Sequence, residues 1–160
     1  MSDVERIRSL LDYDPDTGVF RWREAVGGRM AGQSAGTLHS KGYRRIKLDG
    51  RHHFAHRLAW LYVTGEWPDR AIDHMNGDKT DNRIANLRLA TASENNMNMG
   101  VRRFSKTGLK GVSPQRKKYM AQISANGKRH YLGLFQTPEE AHQAYLQRAR
   151  ELHGDFARAE

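Results

Sequence analysis

The sequence predicts an α+β fold in two units joined by a short polar linker. Short stretches with strand-like alternation of apolar and polar residues are interspersed with segments whose apolar residues recur at helical spacing. A polar and basic linker at 100–107 separates residues 1–99 from residues 108–160. A chain of 160 residues is long enough for two small domains, each with a modest core.

The chain opens with a predicted helix over residues 3–11, because its apolar residues recur at helical spacing. Turn residues at 15–18 lead into a short predicted strand at 19–22. Residues 27–36 are rich in glycine and predict a mobile loop. A phosphate-binding loop is rejected, because no strand precedes these glycines and no Gly-Lys-Ser or Gly-Lys-Thr follows them.

A hairpin and a helix follow. Residues 43–48 alternate in type and meet Asp49-Gly50, which is a strong two-residue hairpin signal. The basic residues of this hairpin form either a solvated face or a contact with a DNA backbone. Residues 56–64 predict a helix that Gly65 ends. His56 is interpreted as a structural histidine at the start of this helix, with a metal ligand or a base as the alternative.

Residues 71–95 predict a strand, a long loop, a second strand and the start of a helix. Residues 71–74 and 86–90 form a hairpin with an oversized polar loop, which is typical of a functional loop. Thr91 and Glu94 match the capping box that begins a helix. This arrangement would bring Asp73, His74 and Asn95 to one cleft.

The residue types in this cleft suit phosphodiester hydrolysis. A carboxylate from Asp73 and an amide oxygen from Asn95 are hard ligands for Mg²⁺ or Mn²⁺, and His74 is a candidate general base. The alternative is that Asn76-Gly77-Asp78 is ordinary turn chemistry and His74 only a polar residue at a strand end.

Together these residues resemble the HNH endonuclease family of the phage and homing type, which has a ββα-metal (His-Me finger) core, here at about residues 70–99. The resemblance implies that His74 is the general base, that Asp73 and Asn95 hold one Mg²⁺ or Mn²⁺ ion, and that Asn86 braces the loop. Asn95 stands where the family more often has His, and Asn96 is a competing ligand. The resemblance runs through Asp73-His74-Met75-Asn76-Gly77-Asp78-Lys79, Asn82-Arg83, Asn86-Leu87-Arg88 and Asn95.

The sequence of the second unit, residues 108–160, predicts three antiparallel strands that pack against one helix. Strands are predicted at 111–114, at 119–124 and at 129–133, with a hairpin turn at Asn126-Gly127 between the last two. Residues 137–154 predict a helix that opens with an N-cap, an N1 proline and a capping-box glutamate. One face of the sheet would pack on this helix, which leaves the other face for a DNA groove.

Residues 108–157 resemble the AP2/ERF DNA-binding domain, through Lys110-Gly111-Val112, the strand at 119–123, and Tyr131-Leu132-Gly133-Leu134-Phe135. Several family arginines are replaced here and Tyr131 takes a tryptophan position, so the recognised DNA sequence is not transferable. The alternative is a small domain that binds protein. The resemblance places these residues on the DNA-facing sheet: Lys110, Ser113, Gln115, Gln122, Ser124, Arg129 and Tyr131.

Charge and composition favour a nucleic-acid partner. The formal net charge is +9. Residues 101–160 hold 12 Lys and Arg against 5 Asp and Glu, whereas residues 1–100 hold 15 against 13. Nucleic acid is preferred over an acidic membrane surface, because no long apolar run or amphipathic basic helix is present in the sequence.

The chain has no cysteine, so we expect neither disulfides nor a cysteine-ligated structural zinc. The first six residues lack the order of a signal peptide, which predicts a cytoplasmic protein. With one active site per chain, we expect a monomeric endonuclease that nicks double-stranded DNA and is targeted by the AP2-like unit. The alternatives are a non-catalytic DNA-binding regulator with a degenerate HNH scaffold and, less favoured, an RNA binder or RNase.

Overall fold

The structure is a computed structural model that describes residues 1–25, 27–101, 105–125 and 127–153. It is a mixed α and β structure that divides into two compact units, Met1–Leu89 and Ala90–Glu160. This division precedes the linker predicted at 100–107, and the functional boundaries of the two domains stay a prediction. The turn residue Asn126, the middle of the predicted linker and the helix end expected near Gly154 lie outside the described residues.

The first unit contains three small sheets and two helices. The N-terminal hairpin β1–β2 has a four-residue pairing that starts at Leu11 and Trp22. A second sheet has the order β3-β4-β5, and β6 pairs with β7 in the third. The bounds are α1 Asp3–Leu10, β1 Leu11–Asp14, β2 Val19–Trp22, β3 Thr37–Leu38, β4 Arg44–Leu48, β5 Arg51–Phe54, α2 Ala55–Thr64, β6 Ala71–His74, a 3₁₀ turn Ile84–Asn86 and β7 Leu87–Ala90.

Local signals explain most of these boundaries. Ser2 and Glu5 form a reciprocal capping box at the start of α1. Gly65 ends α2 in the left-handed conformation with φ of 85°, which a glycine adopts without steric cost. The core of the unit is formed by side chains from α1, α2 and strands of all three sheets, among them Phe20, Ile46 and Leu58.

The glycine-rich stretch, which the sequence predicted as a mobile loop, is partly paired with β2. The N–H of Trp22 donates to the Gln33 carbonyl at 3.0 Å, and the N–H of Ala35 donates to the Phe20 carbonyl at 2.7 Å, so the segment runs along β2. Ala35 is fully buried. Gly32 and Gly36 have positive φ, and these turns allow the chain to return to β2. The sequence did not reveal this pairing, because it depends on contacts rather than on alternation.

The second unit consists of α3, a three-stranded sheet and α4. The strands pair antiparallel in the order β10-β9-β8. Ala121 and Ile123 of β9 are buried on the face that carries α4, together with Ala141 and Tyr145. The bounds are α3 Ala92–Asn98, β8 Val112–Gln115, β9 Lys118–Ala125, β10 Lys128–Phe135 and α4 Pro138–His153.

The predicted helix starts in this unit are confirmed. Glu94 N–H donates to Thr91 Oγ1, and Thr91 N–H donates to the Glu94 carboxylate at 2.7 Å, which is the reciprocal pair of a capping box. Thr137 and Glu140 make the same pair at the start of α4. In the described part of the chain, no helix combines the length and the apolar character that a bilayer span requires.

Candidate active site

The end of β6 places two ionisable side chains side by side in the interior of the first unit. Asp73 and His74 are 3% and 4% exposed. The Met75 N–H donates to the Asn86 carbonyl at 2.9 Å, which closes the long loop between β6 and β7 at its base. The predicted pair of strands and its loop are therefore present, with Asp73 and His74 at the loop end.

Asn86 holds the two ends of this loop together. Its Oδ1 accepts the Asn76 N–H at 3.0 Å, and its Nδ2 donates to Asn76 Oδ1 at 3.0 Å and to the Asp81 carbonyl at 2.9 Å. The loop also bonds to itself through Asp78, whose Oδ1 accepts the Thr80 N–H at 2.8 Å. Because a buried carboxamide with all three of these bonds has one orientation, Asn86 specifies the loop conformation.

His74 lies in a mainly aromatic pocket. Its Nε2 is 3.3 Å from Asn82 Oδ1, and its ring centroid is 5.1 Å from that of His56 and 5.9 Å from that of Tyr43. Burial lowers the pKa of His74, while the Asn82 hydrogen bond and nearby carboxylates, with Asp73 first among them, act in the opposite direction. The imidazole is therefore neutral at physiological pH, as a general base must be before it accepts a proton.

His56 sits in the first turn of α2 and is 7% exposed. Its ring stacks on Phe54 with an interplanar angle of 9° and lies 5.1 Å from the Tyr43 centroid. Its Nδ1 has no hydrogen-bond partner among the described residues, and burial lowers its pKa to about 3, with the charges of His74 and Arg57 acting in the same direction. This apolar packing fits the interpretation of His56 as a structural histidine.

Arg88 of β7 is the counter-charge of Asp73. Its Nε and Nη2 both lie 2.9 Å from Asp73 Oδ2, and both side chains are largely buried. Nearby, the Lys79 ammonium lies 4.9 Å from the Tyr43 ring centroid and donates to the Lys41 carbonyl at 3.1 Å. Asn82 and Arg88 stand in the motif that carries the family resemblance, but the sequence assigned no role to either of them or to Tyr43.

The donor chemistry of the site fits a hard divalent cation held by few protein ligands. No group of three or more His, Cys, Asp or Glu side chains that could hold a metal exists among the described residues. Asp73 offers a carboxylate and Asn95 a carboxamide, both of which are oxygen donors that suit Mg²⁺ or Mn²⁺. Asn95 lies in α3 of the second unit, half-buried, so its approach to Asp73 stays a prediction. The side chain of Asn96 lies outside the described part of the structure.

The second unit gathers most of the predicted DNA contacts on one face. The pairs Arg129 with Ser124 and Tyr131 with Gln122 share the sheet face opposite α4, because residues paired across antiparallel strands point the same way. Ser113 and Gln115 lie on that face too, through their pairing with Met120 and Lys118. We call this surface, formed by Ser113, Gln115, Lys118, Met120, Gln122, Ser124, Arg129 and Tyr131, the outer face. Lys110 precedes β8, and its carbonyl is 3.1 Å from Nδ1 of His142.

Comparison with known proteins agrees with this geometry. A family model described as HNH endonuclease matches residues 53–97, which span β5 through most of α3. Protein 3.8 of Escherichia phage T7 is 34% identical over 121 residues, which is 74% of this chain and 97% of that relative. Residues 53–97 form a domain of the HNH endonuclease family.

A second relative carries the family in its name. An uncharacterized HNH endonuclease of Acanthamoeba polyphaga mimivirus is 36% identical over 104 residues, which is 64% of this chain and 54% of that protein. The chain therefore spans about half of this longer relative. The segment that matches the family model contains His74, its Asn82 contact and the loop that Asn86 holds together. It ends before the sheet of the second unit.

Proposed function

We propose that the protein is a metal-dependent HNH endonuclease that nicks double-stranded DNA. The observation that carries this proposal is the buried pair Asp73 and His74 at the end of β6, inside the segment that matches the family. His74 is the general base that takes a proton from the attacking water. A histidine that is neutral because of burial is suited to this role at physiological pH.

Asp73 and Asn95 would hold the cation. When bound, the cation supplies charge stabilisation at the scissile phosphate and at the leaving 3′ oxygen. Arg88 holds the Asp73 carboxylate through a buried ion pair and so fixes its direction. Asn86 keeps the loop in the conformation that carries His74. Lys79, whose ammonium lies over the Tyr43 ring and donates to the Lys41 carbonyl, would contact a phosphate of the substrate.

The outer face of the second unit is the proposed targeting surface, in an AP2-like mode. It presents the predicted contacts Ser113, Gln115, Gln122, Ser124, Arg129 and Tyr131, and Tyr131 is 62% exposed. A twisted antiparallel sheet fits the major groove, where such side chains reach base edges. The excess of basic residues after position 100 supports binding to the phosphate backbone. Because one relative is a phage protein, we place this activity in the cytoplasm of the host cell.

The test is cleavage of supercoiled plasmid by the purified protein and its His74→Ala variant, with Mg²⁺, with Mn²⁺ and with chelator. The expected result is nicking by the wild type only with metal and a loss of about 10²-fold or more in the variant. His52→Ala, which changes an exposed histidine of β5, is the matched control and should cleave like the wild type. Equal cleavage by His74→Ala would overturn the role of His74.

The Asp73–Arg88 ion pair favours a second candidate function. A carboxylate already neutralised by a buried arginine is stable without a cation, as expected of a regulator that binds DNA through a degenerate HNH scaffold. This candidate predicts tight DNA binding that is unchanged by chelator, and no cleavage with either metal. The same plasmid assay, combined with a binding assay at fixed salt, separates the two candidates.

A further inference from the structure

Asn82 links the candidate base to a part of the chain that lies outside the family match. It is 1% exposed, and its Oδ1 is 3.3 Å from His74 Nε2. Its Nδ2 donates to the Thr80 carbonyl at 3.1 Å. Its main-chain carbonyl accepts the Tyr13 hydroxyl at 2.7 Å. Asn82 therefore has a partner on its side-chain oxygen, its side-chain nitrogen and its carbonyl.

The orientation of the Asn82 carboxamide determines which nitrogen of His74 carries the proton. Because Nδ2 donates to the Thr80 carbonyl, the amide oxygen is the atom that faces His74. An amide oxygen only accepts hydrogen bonds, so the His74 Nε2 must be the donor. A neutral imidazole with its proton on Nε2 has its basic lone pair on Nδ1. The structure thus selects one of the two tautomers.

The N-terminal hairpin holds Asn82 in position. Besides the Tyr13 hydrogen bond, Gly18 at the hairpin turn touches the main chain of the loop. A Cβ at Gly18 would lie 2.5 Å from the Asn82 carbonyl carbon and 2.4 Å from the Arg83 nitrogen. Tyr13 is itself fixed by the Phe20 ring, at 4.7 Å between centroids. Tyr13, Gly18 and Phe20 all precede the matched segment at 53–97.

We propose that Asn82 is a positioning residue that keeps the His74 proton on Nε2 and its basic lone pair on Nδ1, and that Tyr13 holds Asn82 in this role. His56 and Tyr43 contact the His74 ring through ring faces and edges, so they restrict its plane but do not select a tautomer. The catalytic consequence rests on the proposed nuclease function. The tautomer itself does not, and it is measurable in a protein without activity.

The first test is nuclear magnetic resonance of the full chain with ¹⁵N-labelled histidine, in which His74→Gln identifies the His74 signals. The wild type is expected to show the Nε2–H tautomer. Asn82→Leu removes the acceptor and should move a large fraction of His74 to the Nδ1–H tautomer. Asn82→Asp keeps an oxygen acceptor and should retain Nε2–H. A wild-type spectrum with the proton on Nδ1, or an unchanged tautomer in Asn82→Leu, would overturn the proposal.

The second test measures the kinetics of plasmid nicking. Asn82→Leu should lower kcat by about tenfold while KM changes by less than about twofold, because the shift in tautomer and the lost hydrogen bond impair the base and not DNA binding. Asn82→Asp should restore most of kcat. Tyr13→Phe should lower kcat by a smaller factor. The matched control is Tyr62→Phe, which removes a hydroxyl from the same aromatic cluster without touching Asn82.

These results separate the inference from the proposed function. If no variant and no wild-type sample cleaves DNA while the tautomer responds to Asn82, the nuclease proposal fails and the positioning role stands. If the wild type cleaves and Asn82→Leu leaves kcat unchanged, the positioning role fails and the nuclease proposal stands. Should Asn82→Leu not fold, the wild-type spectrum and Asn82→Asp decide the question alone.

Discussion

At the scale of single residues, the surroundings of two neighbouring histidines give them different properties. His74 faces the Asn82 amide and lies near the carboxylates of Asp73, Asp78 and Asp81, which favour the protonated form. His56 has aromatic rings on its faces, and the charge of Arg57, together with that of His74 when it is protonated, adds to the effect of burial in lowering the His56 pKa. His56 is therefore suited to packing, whereas His74 has the polar contacts that proton transfer requires.

His56 should make the protein sensitive to acid. Its pKa is lowered from 6.5 to about 3 in the folded state, so the unfolded state binds the proton more readily between these values. The part of the unfolding free energy that depends on neutral His56 is fully present above about pH 6.5. It declines as pH falls towards 3, by about 2 kcal/mol between pH 6.5 and 4.5. In urea unfolding measured at several pH values, the free energy of unfolding should fall less steeply with decreasing pH in His56→Leu than in the wild type.

His52→Ala serves as the control for this prediction, since His52 is exposed on β5. It should leave the decline nearly as steep as in the wild type. His74 contributes in the same direction, so His56→Leu reduces the decline but does not abolish it. The same slope in His56→Leu and wild type would contradict the account.

Site residues could be predicted from sequence where their signal is local. Asp73, His74 and Asn86 stand in one short motif, and the structure places them around one loop. Asn82 belongs to the same motif, but its proposed positioning role depends on Tyr13, which is 69 positions away in the chain. Turn chemistry alone explains an asparagine in such a loop, so the sequence offered no reason to assign it this role.

At the scale of elements, the starts of helices could be predicted from the sequence, whereas some contacts of the strands could not. The capping pairs of α3 and α4 are complete within four residues and could be predicted. The pairing of residues 32–35 with β2 and the contact of the β1–β2 turn with the β6–β7 loop could not, because both depend on where the chain packs. The N-terminal hairpin thus contacts the loop of the candidate site, although its sequence carries no catalytic signature.

Gly18 tests the contribution of this hairpin. Gly18→Ala combines a left-handed backbone, at φ of +70°, with a clash against the main chain of Asn82 and Arg83. We expect a loss of unfolding free energy of about 2 kcal/mol or more, measured by urea denaturation. Gly50→Ala has a comparable φ of +81° but open space around its Cβ, so it should cost only about 1 kcal/mol. Equal losses of unfolding free energy in the two variants would show that the hairpin does not pack closely against the loop.

At the scale of the whole molecule, we propose that the first unit cleaves DNA and that the second unit binds it. The sequence predicted one basic unit with a sheet and a helix, and the second unit has both. The pairing of β9 with β10 followed from the short connection between them, and the shared face of the polar residues followed from alternation. The family match, by contrast, ends at residue 97, so the proposed DNA-binding role of the outer face rests on its charge and geometry.

Two charge-matched substitutions test the outer face. Arg129 pairs with Ser124 on the outer face, whereas Lys128 pairs with Ala125 and points to the opposite side. Arg129→Gln should weaken DNA binding and reduce the slope of log affinity against log salt by about 1, because one positive charge that contacts the DNA is lost. Lys128→Gln removes the same charge and should change the slope much less. Equal effects would mean that only net charge matters.

The central claim is that this chain hydrolyses one DNA strand at a time at a single site. The most direct measurement is a time course on supercoiled plasmid with Mg²⁺ or Mn²⁺, followed by treatment of the product with DNA ligase. We predict that nicked circles accumulate before linear DNA and that ligase reseals them, because departure of the 3′ oxygen leaves a 3′ hydroxyl and a 5′ phosphate. Linear product without a nicked intermediate, or nicks that ligase does not seal, would contradict the account.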